Sequence, residues 1–378
     1  MARRGENIHK RKDGRWEARY IDFYLDSGQA HYKSVYARGY KEVKAKMEKI
    51  KAVPNTQRRL TSLVSMEQLC FMWLEDKKIQ VKESSYARYH QVISGHIIPY
   101  FKSTDTSKIT NGLVNQFIKD KLNHGRIDQT GGLSNKSVSD ILIILLQIIK
   151  YGERKPCKEK PYIAQFDYDI SRPQKEYTEL TILSREEQEK LLQYTKAEID
   201  HKKLGVLLAL YTGIRLGELC ALTWGDIDFT EGTLHIKKTL QRIKDTNPDS
   251  KKKTKMVITS PKSQKSIREI PLQSFLLEIL SEFRKKDTTY ILSDKEKYID
   301  PRVYQDNFKQ YLKKAGIDHI HFHALRHTFA TRAIEQNFDD KTLSELLGHA
   351  TVRFTMERYV HSSGEIKRAN MERLAVCF

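Results

Sequence analysis

Helical periodicity in this chain stops twice, around Val53-Pro54-Asn55-Thr56 and across Gln165-Phe166-Asp167-Tyr168-Asp169-Ile170-Ser171-Arg172-Pro173, so no single apolar pattern runs through its 378 residues. Pro173 disfavours helix just before it, and a stretch without sustained period reads as a connection between cores. A chain this long also exceeds what one core organises. The pattern therefore predicts three domains, residues 1–60, 61–168 and 169–378.

In the first, Arg15–Phe23 and His31–Tyr36 are rich in β-formers, Asp13-Gly14 and Asp26-Ser27-Gly28 supply turns, and a helix starts near Lys41. Arg15, Arg19 and Lys33 lie among Trp16, Tyr20 and Tyr32, a mixture that presents one basic face to a DNA groove or forms an ordinary solvated face. In the second, Ser65-Met66-Glu67-Gln68 has the spacing of a capping box, and helical stretches follow at Ser84 to about Pro99, Asn111 to about His124 and Ser134 to about Lys155. The third opens on another capping box, Ser184-Arg185-Glu186-Glu187, and continues into an apolar helix, Leu204 to Tyr211, ended by Gly213. Three β-like runs come next, Thr233–Lys237, Met256–Ser260 and Ile267–Leu272, and helical pattern resumes to the end. The expected architecture is multidomain and mainly α, with a small α+β module first, a helical bundle second, and a helical third domain bearing a small antiparallel sheet.

Charge narrows the partners. The 67 Lys and Arg against 48 Asp and Glu give +19, and residues 1–60 alone hold 16 basic against 7 acidic side chains. Such a balance favours a polyanion, nucleic acid first. The longest apolar run, Ile141–Ile149, contains Gln147 and is too short for a bilayer, so no membrane partner is expected. Met1-Ala2-Arg3-Arg4 leads straight into charged sequence, which points to the cytosol, and the scattered Cys70, Cys157, Cys220 and Cys377 read as free thiols.

Several polar residues then recur in a telling order. Arg215 follows a glycine break between two apolar helices, where a guanidinium fork is free to take two oxygens of one phosphate. Glu218 lies three residues on, placed to hold it. His323 and Arg326 are three apart on a predicted helix and project from one side. His349 follows Gly348 at a predicted helix C-cap, and Tyr359 comes ten residues later on a face shared with Val352 and Met356. Singly, these residues have ordinary roles as a surface pair, a cap or a packed ring. His319, His321, His323 and His327 also raise the possibility of imidazole ligation of a metal, without an obvious carboxylate partner.

Taken together, Arg215, His323-x-x-Arg326, Gly348-His349 and Tyr359 resemble the tyrosine recombinases, or phage-type integrases, and the chain is most similar to integrases of conjugative transposons. The resemblance implies a site-specific recombinase that cuts and rejoins DNA through a 3′-phosphotyrosyl intermediate, integrating and excising a mobile element without metal, ATP or other cofactor. It adds a basic residue in the turn between the second and third β-like runs, Lys262 in preference to Lys265. It assigns catalysis to Arg215, Lys262, His323, Arg326, His349 and Tyr359, with Glu218 in support. It further implies core and arm DNA sites, a homotetramer on paired sites, and accessory excision or host DNA-bending proteins. Met371, Leu374, Ala375 and Phe378 form an apolar stripe on a C-terminal helix that docks either in its own subunit or on a neighbour. The competing functions are a type IB topoisomerase-like relaxing enzyme and a non-enzymatic DNA-binding regulator.

Overall fold

The computed structural model describes residues 7–24, 30–51, 64–154, 156–157, 160–163, 166–174, 180–247, 249–250, 252–261, 264–349, 351–353 and 371–372. The chain divides into two compact units, Met1–Tyr177 and Thr178–Phe378. The first unit holds two separate apolar clusters.

The smaller cluster lies under an antiparallel sheet of β1 (Ile8–Lys10), β2 (Trp16–Tyr24) and β3 (Ala30–Ala37). Gly14, at a positive φ of 85°, makes the turn into β2. Helix α1 (Tyr40–Lys51) covers one face, setting Val43 and Met47 against Ile8, Ala18 and Ala37, while Trp16 meets Tyr40 edge-on at 5.1 Å. The Asp26-Ser27-Gly28 turn expected between β2 and β3 lies outside the described residues.

The larger cluster is an all-helical bundle. Ser65 and Gln68 cap α2 (Met66–Gln80) reciprocally, satisfying two amides that the first helical turn leaves open. Helix α3 (Glu83–Val92) continues into α4 (Ile98–Phe101) through a wider π turn at Ile93–Ile97. That turn is where the expected single helix departs from ideal geometry, because Pro99 has no N–H for the carbonyl four residues back and its ring crowds that carbonyl. Helices α5 (Asn111–His124) and α6 (Asn135–Arg154) complete the bundle, and Leu69, Trp73, Ile97, Phe117, Leu145 and Ile149 fill it. A short ladder of β4 (Pro156–Cys157) and β5 (Lys160–Pro161) follows. Phe166, Tyr168 and Ile170 pack on the same core, so the aperiodic stretch read as a linker is in part bundle wall.

In the second unit Ser184 caps α7 (Arg185–Ala197). Helix α8 (His201–Thr212) is buried nearly all round by Leu204, Val206, Leu207, Leu208 and Leu210, and ends on Gly213 in the left-handed region at φ 63°. Short α9 (Leu216–Leu219) leads to β6 (Ile227–Asp228), β7 (Thr233–Ile236), β8 (Thr239–Lys244), β9 (Thr254–Thr259) and β10 (Arg268–Pro271). These strands do not form the one small sheet the sequence suggests. The order β10-β7-β6 makes one antiparallel sheet, with Ile270 opposite Leu234, and β8 pairs with β9 in a separate ladder. The turn between the second and third β-like runs is therefore no hairpin turn, since β9 and β10 belong to different sheets and a 3-10 turn, Gln264–Ser266, joins them. Helices α10 (Ser274–Glu282), α11 (Pro301–Lys314), α12 (His323–Glu335) and α13 (Asp340–Leu347) close the unit around α8. Among the described residues no helix is long and apolar enough to cross a membrane.

Candidate active site

Three consecutive main-chain oxygens at the end of α13 each accept from a different arginine. Arg268 Nε donates to the Leu346 carbonyl at 2.6 Å, Arg326 Nη2 to Leu347 at 2.6 Å, and Arg215 Nη2 to Gly348 at 3.2 Å. A helix leaves its last carbonyls without intrahelical partners and concentrates partial negative charge there, so guanidinium groups from β10, α12 and the start of α9 gather on one point. Gly348 ends α13 at φ 62°, and a Cβ there would lie 3.1 Å from Arg268 Cδ and 3.3 Å from the Lys265 carbonyl. The left-handed turn and the absence of a side chain are both required. His349, 8% exposed, follows directly, with its N–H on the Ser344 carbonyl at 3.0 Å.

Glu218 organises the other side of the cluster. Its Oε1 accepts from Arg215 Nη1 at 2.8 Å and its Oε2 from the Arg215 N–H at 3.0 Å, so the expected pairing is present. The same two oxygens accept from Arg268 Nη1 at 3.2 Å and Nη2 at 2.8 Å. Burial pushes the Glu218 carboxyl up, but the Arg268 hydrogen bonds and charge, with the charge of Arg215, overcome this and hold it at about 2. Two arginines thus share one carboxylate. Arg268 and Glu218 are almost fully enclosed, at 5% and 3% side-chain exposure, whereas the Arg215 side chain is 36% exposed.

Arg326 is 2% exposed, and its Nη1 donates to the Gly213 carbonyl at 2.8 Å, which ties the end of α8 to the end of α13. His323 shares the first turn of α12 but is exposed, its ring edge-on to His327 with centroids 4.5 Å apart. The two residues expected side by side on α12 therefore stand at different depths. Lys265 is exposed in the 3-10 turn. Lys262 and Tyr359 lie outside the described residues, as do Leu374, Ala375 and Phe378 of the C-terminal stripe. Among the described residues no three His, Cys, Asp or Glu side chains converge as a metal site, His319, His321, His323 and His327 included.

In the first unit, the pleat separates the residues expected on one basic face. Arg19 lies across the ring of Tyr32 at 4.6 Å, and Arg11 and Arg15 each approach the ring of Tyr36 at 5.6 Å. Tyr20 and Lys33 are opposite each other, in register with the Ala18–Val35 and Trp16–Ala37 pairs that face α1. Lys33 accordingly points away from Arg19 and pairs with Glu67 at 3.6 Å. Side-chain alternation along β2 carries this signal: Arg15, Glu17 and Arg19 fall on one face, Trp16, Ala18 and Tyr20 on the other.

Comparison with known proteins gives the family. The family model for the phage integrase family matches residues 181–365, and that for the phage integrase N-terminal SAM-like domain matches residues 65–122. The chain belongs to the phage integrase family of tyrosine recombinases. Among curated relatives, it is 27% identical to a XerC-like tyrosine recombinase of Caldanaerobacter subterraneus, over 89% of both chains. It is 26% identical to the ICEBs1 integrase of Bacillus subtilis, over 80% of both. Its fold matches the Tn1549 transposon integrase with a TM-score of 0.64 at 22% identity, covering 82% of this chain and 99% of that one. This integrase is thus an enzyme of site-specific recombination, of the type carried by conjugative transposons. Its six candidate catalytic positions all fall within residues 181–365.

Arg268 went unassigned in the sequence. It stands in Ile267-Arg268-Glu269-Ile270-Pro271, where a charged residue in a strand reads as solvent-facing, and the available signal was alternation: Arg268 and Ile270 share the buried face.

Proposed function

We propose that this integrase cuts and rejoins the ends of a mobile element through a covalent tyrosine link, with Arg215, Lys262, His323, Arg326, His349 and Tyr359 as its catalytic residues. The observation that carries the assignment is the convergence of Arg215, Arg326 and the Gly348-His349 turn on one helix end, from three distant stretches of chain.

The chemistry follows from the residue types. Tyr359 Oη attacks phosphorus, the bond to the 5′-oxygen breaks, and a 3′-phosphotyrosyl link and a free 5′-hydroxyl result. A second strand's 5′-hydroxyl then reverses the step, so bond energy is kept in the protein–DNA link. A tyrosine hydroxyl titrates near pH 10, so only about one in a thousand is ionised at neutral pH, and exposed His323 serves as the base that takes its proton. Arg215 and Arg326 neutralise the negative charge that builds on the non-bridging oxygens, with His349 donating a hydrogen bond. Fixed donors of this kind contribute about 3–4 kcal/mol each. Lys262 protonates the departing oxygen, with Lys265 the alternative in the same connection. The guanidinium groups provide the charge stabilisation that many nucleases draw from metal ions.

The partner is double-stranded DNA, as in the Tn1549 integrase, whose structure was solved in complex with transposon right end DNA. Residues 1–60 serve arm sites through the Arg15, Arg19 and Tyr32 face, residues 61–168 grip the core site, and residues 169–378 perform the chemistry within a homotetramer on paired sites. The deciding experiment is covalent trapping on a nicked duplex carrying the element's joined ends, read on a denaturing gel. The parent should form a protein–DNA adduct in excess chelator, and Tyr359→Phe should form none. An adduct from Tyr359→Phe equal to the parent's would remove the nucleophile assignment.

A further inference from the structure

We infer that Arg268 is a positioning residue for phosphate recognition, keeping Arg215 electrostatically available by sharing Glu218 with it. The inference rests on the reading of Arg215 as a phosphate ligand. A buried carboxylate facing one arginine would neutralise it, and a guanidinium already satisfied has little field left for a phosphate. Here the carboxylate faces two. Arg268 takes both Glu218 oxygens in a fork, Nη1 to Oε1 at 3.2 Å and Nη2 to Oε2 at 2.8 Å, and it is the more deeply buried of the two arginines. Arg268 makes the two-bond fork, while the Arg215 guanidinium holds one of the same oxygens at 2.8 Å, so the single negative charge of Glu218 is divided between two cations. Glu218 holds Arg215 in place without cancelling it.

The geometry gives Arg268 a second task. Its Nε holds the Leu346 carbonyl at 2.6 Å, its Nη1 reaches the Ser266 carbonyl at 3.2 Å, and its Cδ lies 3.1 Å from where a Cβ would stand at Gly348. One side chain thus spans the 3-10 turn that follows Lys262, the carboxylate behind Arg215, and the turn that presents His349. A lysine lacks the planar fork needed to make these bonds together.

The test compares cleavage of two nicked duplexes carrying the element's joined ends, one with an ordinary phosphodiester and one with a methylphosphonate at the scissile position. The methylphosphonate lacks the negative non-bridging oxygen, so cleavage that depends on a cation at that oxygen becomes less dependent on it. Arg215→Ala is the control for the underlying reading and should be slowed far more on the phosphodiester than on the methylphosphonate. If Arg268 keeps Arg215 charged, R268Q should lose about 100-fold in single-turnover cleavage of the phosphodiester and less than about 5-fold on the methylphosphonate. R268K should recover about 10-fold over R268Q on the phosphodiester. The double variant E218Q/R268Q, in which no carboxylate is left to silence Arg215, should cleave the phosphodiester faster than R268Q. Equal losses on both substrates overturn the inference, as does a double variant no better than R268Q. If R268Q does not fold, R268K against the parent decides by the same substrate comparison. A control Arg215→Ala that discriminates while the Arg268 variants do not defeats the positioning role alone, whereas failure of the control to discriminate defeats the phosphate reading beneath it.

Discussion

Glu218 is the residue on which the site's electrostatics turn, and its titration is a stability statement. Its carboxyl sits near 2 in the folded protein against 4.5 in a free side chain. A depressed value means the folded state prefers the ionised form, so the stabilisation is fully present above about pH 4.5 and is lost as pH falls through about 2; its size is on the order of 3 kcal/mol. Thermal unfolding followed from neutral pH into that window should show the parent losing this contribution. Glu218→Gln should lack that part of the slope. The variant should also be less stable near neutral pH by about 3–5 kcal/mol, because Arg268 is left enclosed without its counter-charge. A Glu218→Gln curve parallel to the parent's throughout the acid limb would refute the coupling.

At the scale of elements, close approach and helix ends make sharper predictions than composition does. Ala in place of Gly205 would put a Cβ 2.3 Å from Tyr304 Oη and 2.5 Å from Leu292 Cδ2, where Tyr304 also donates to the Lys202 carbonyl at 2.7 Å. Overpacking should lower stability by about 1–3 kcal/mol in chemical denaturation, well outside the range of a benign Gly-to-Ala change in a helix. Ala in place of Gly348 strains a left-handed turn, which costs about 1–2 kcal/mol, and presses on Arg268. Adduct formation should therefore fall at least about tenfold while the unfolding temperature moves by only a few degrees. A Gly348→Ala variant that cleaves at the parent's rate would show that the turn tolerates the shift.

These same elements show what was legible in the sequence. The caps at Ser65 and Ser184 and the helix ends at Gly213 and Gly348 stand where pattern places them, because each depends on residues within a few positions. Strand β8 escaped because Leu240 and Ile243, its buried residues, lie three apart and break the alternation that marks a strand. Arg268 escaped for a related reason: its partners Glu218 and Leu346 are 50 and 78 residues distant, and nothing local announces them. The order of Arg215, His323, Arg326, His349 and Tyr359 was readable, whereas the depth at which His323 and Arg326 stand was set by tertiary packing.

For the whole molecule, charge rather than any one contact governs encounter with DNA. A net +19, of which residues 1–60 contribute 16 basic against 7 acidic side chains, predicts binding dominated by release of counterions. The logarithm of affinity should fall linearly with the logarithm of salt concentration, with a slope of about −0.9 for each phosphate neutralised. Deleting residues 1–60 should flatten that slope and weaken arm-site binding while leaving cleavage of a core duplex intact, as a filter-binding titration at several salt concentrations would read. An unchanged slope after deletion would place the DNA contacts elsewhere.

The arginines around α13 grip main-chain oxygens, and this has a consequence for how the site is probed and how it drifts. No replacement of a side chain at 346 or 347 deletes an acceptor, so an alanine scan across these two positions is blind to the bonds that Arg268 and Arg326 make to their carbonyls. Only an edit to the backbone itself, such as an ester in place of an amide, would weaken one carbonyl at a time. The chain's history is freed in the same way: the identity of the last helical residues can wander as packing allows, while the clamp they terminate stays unaltered.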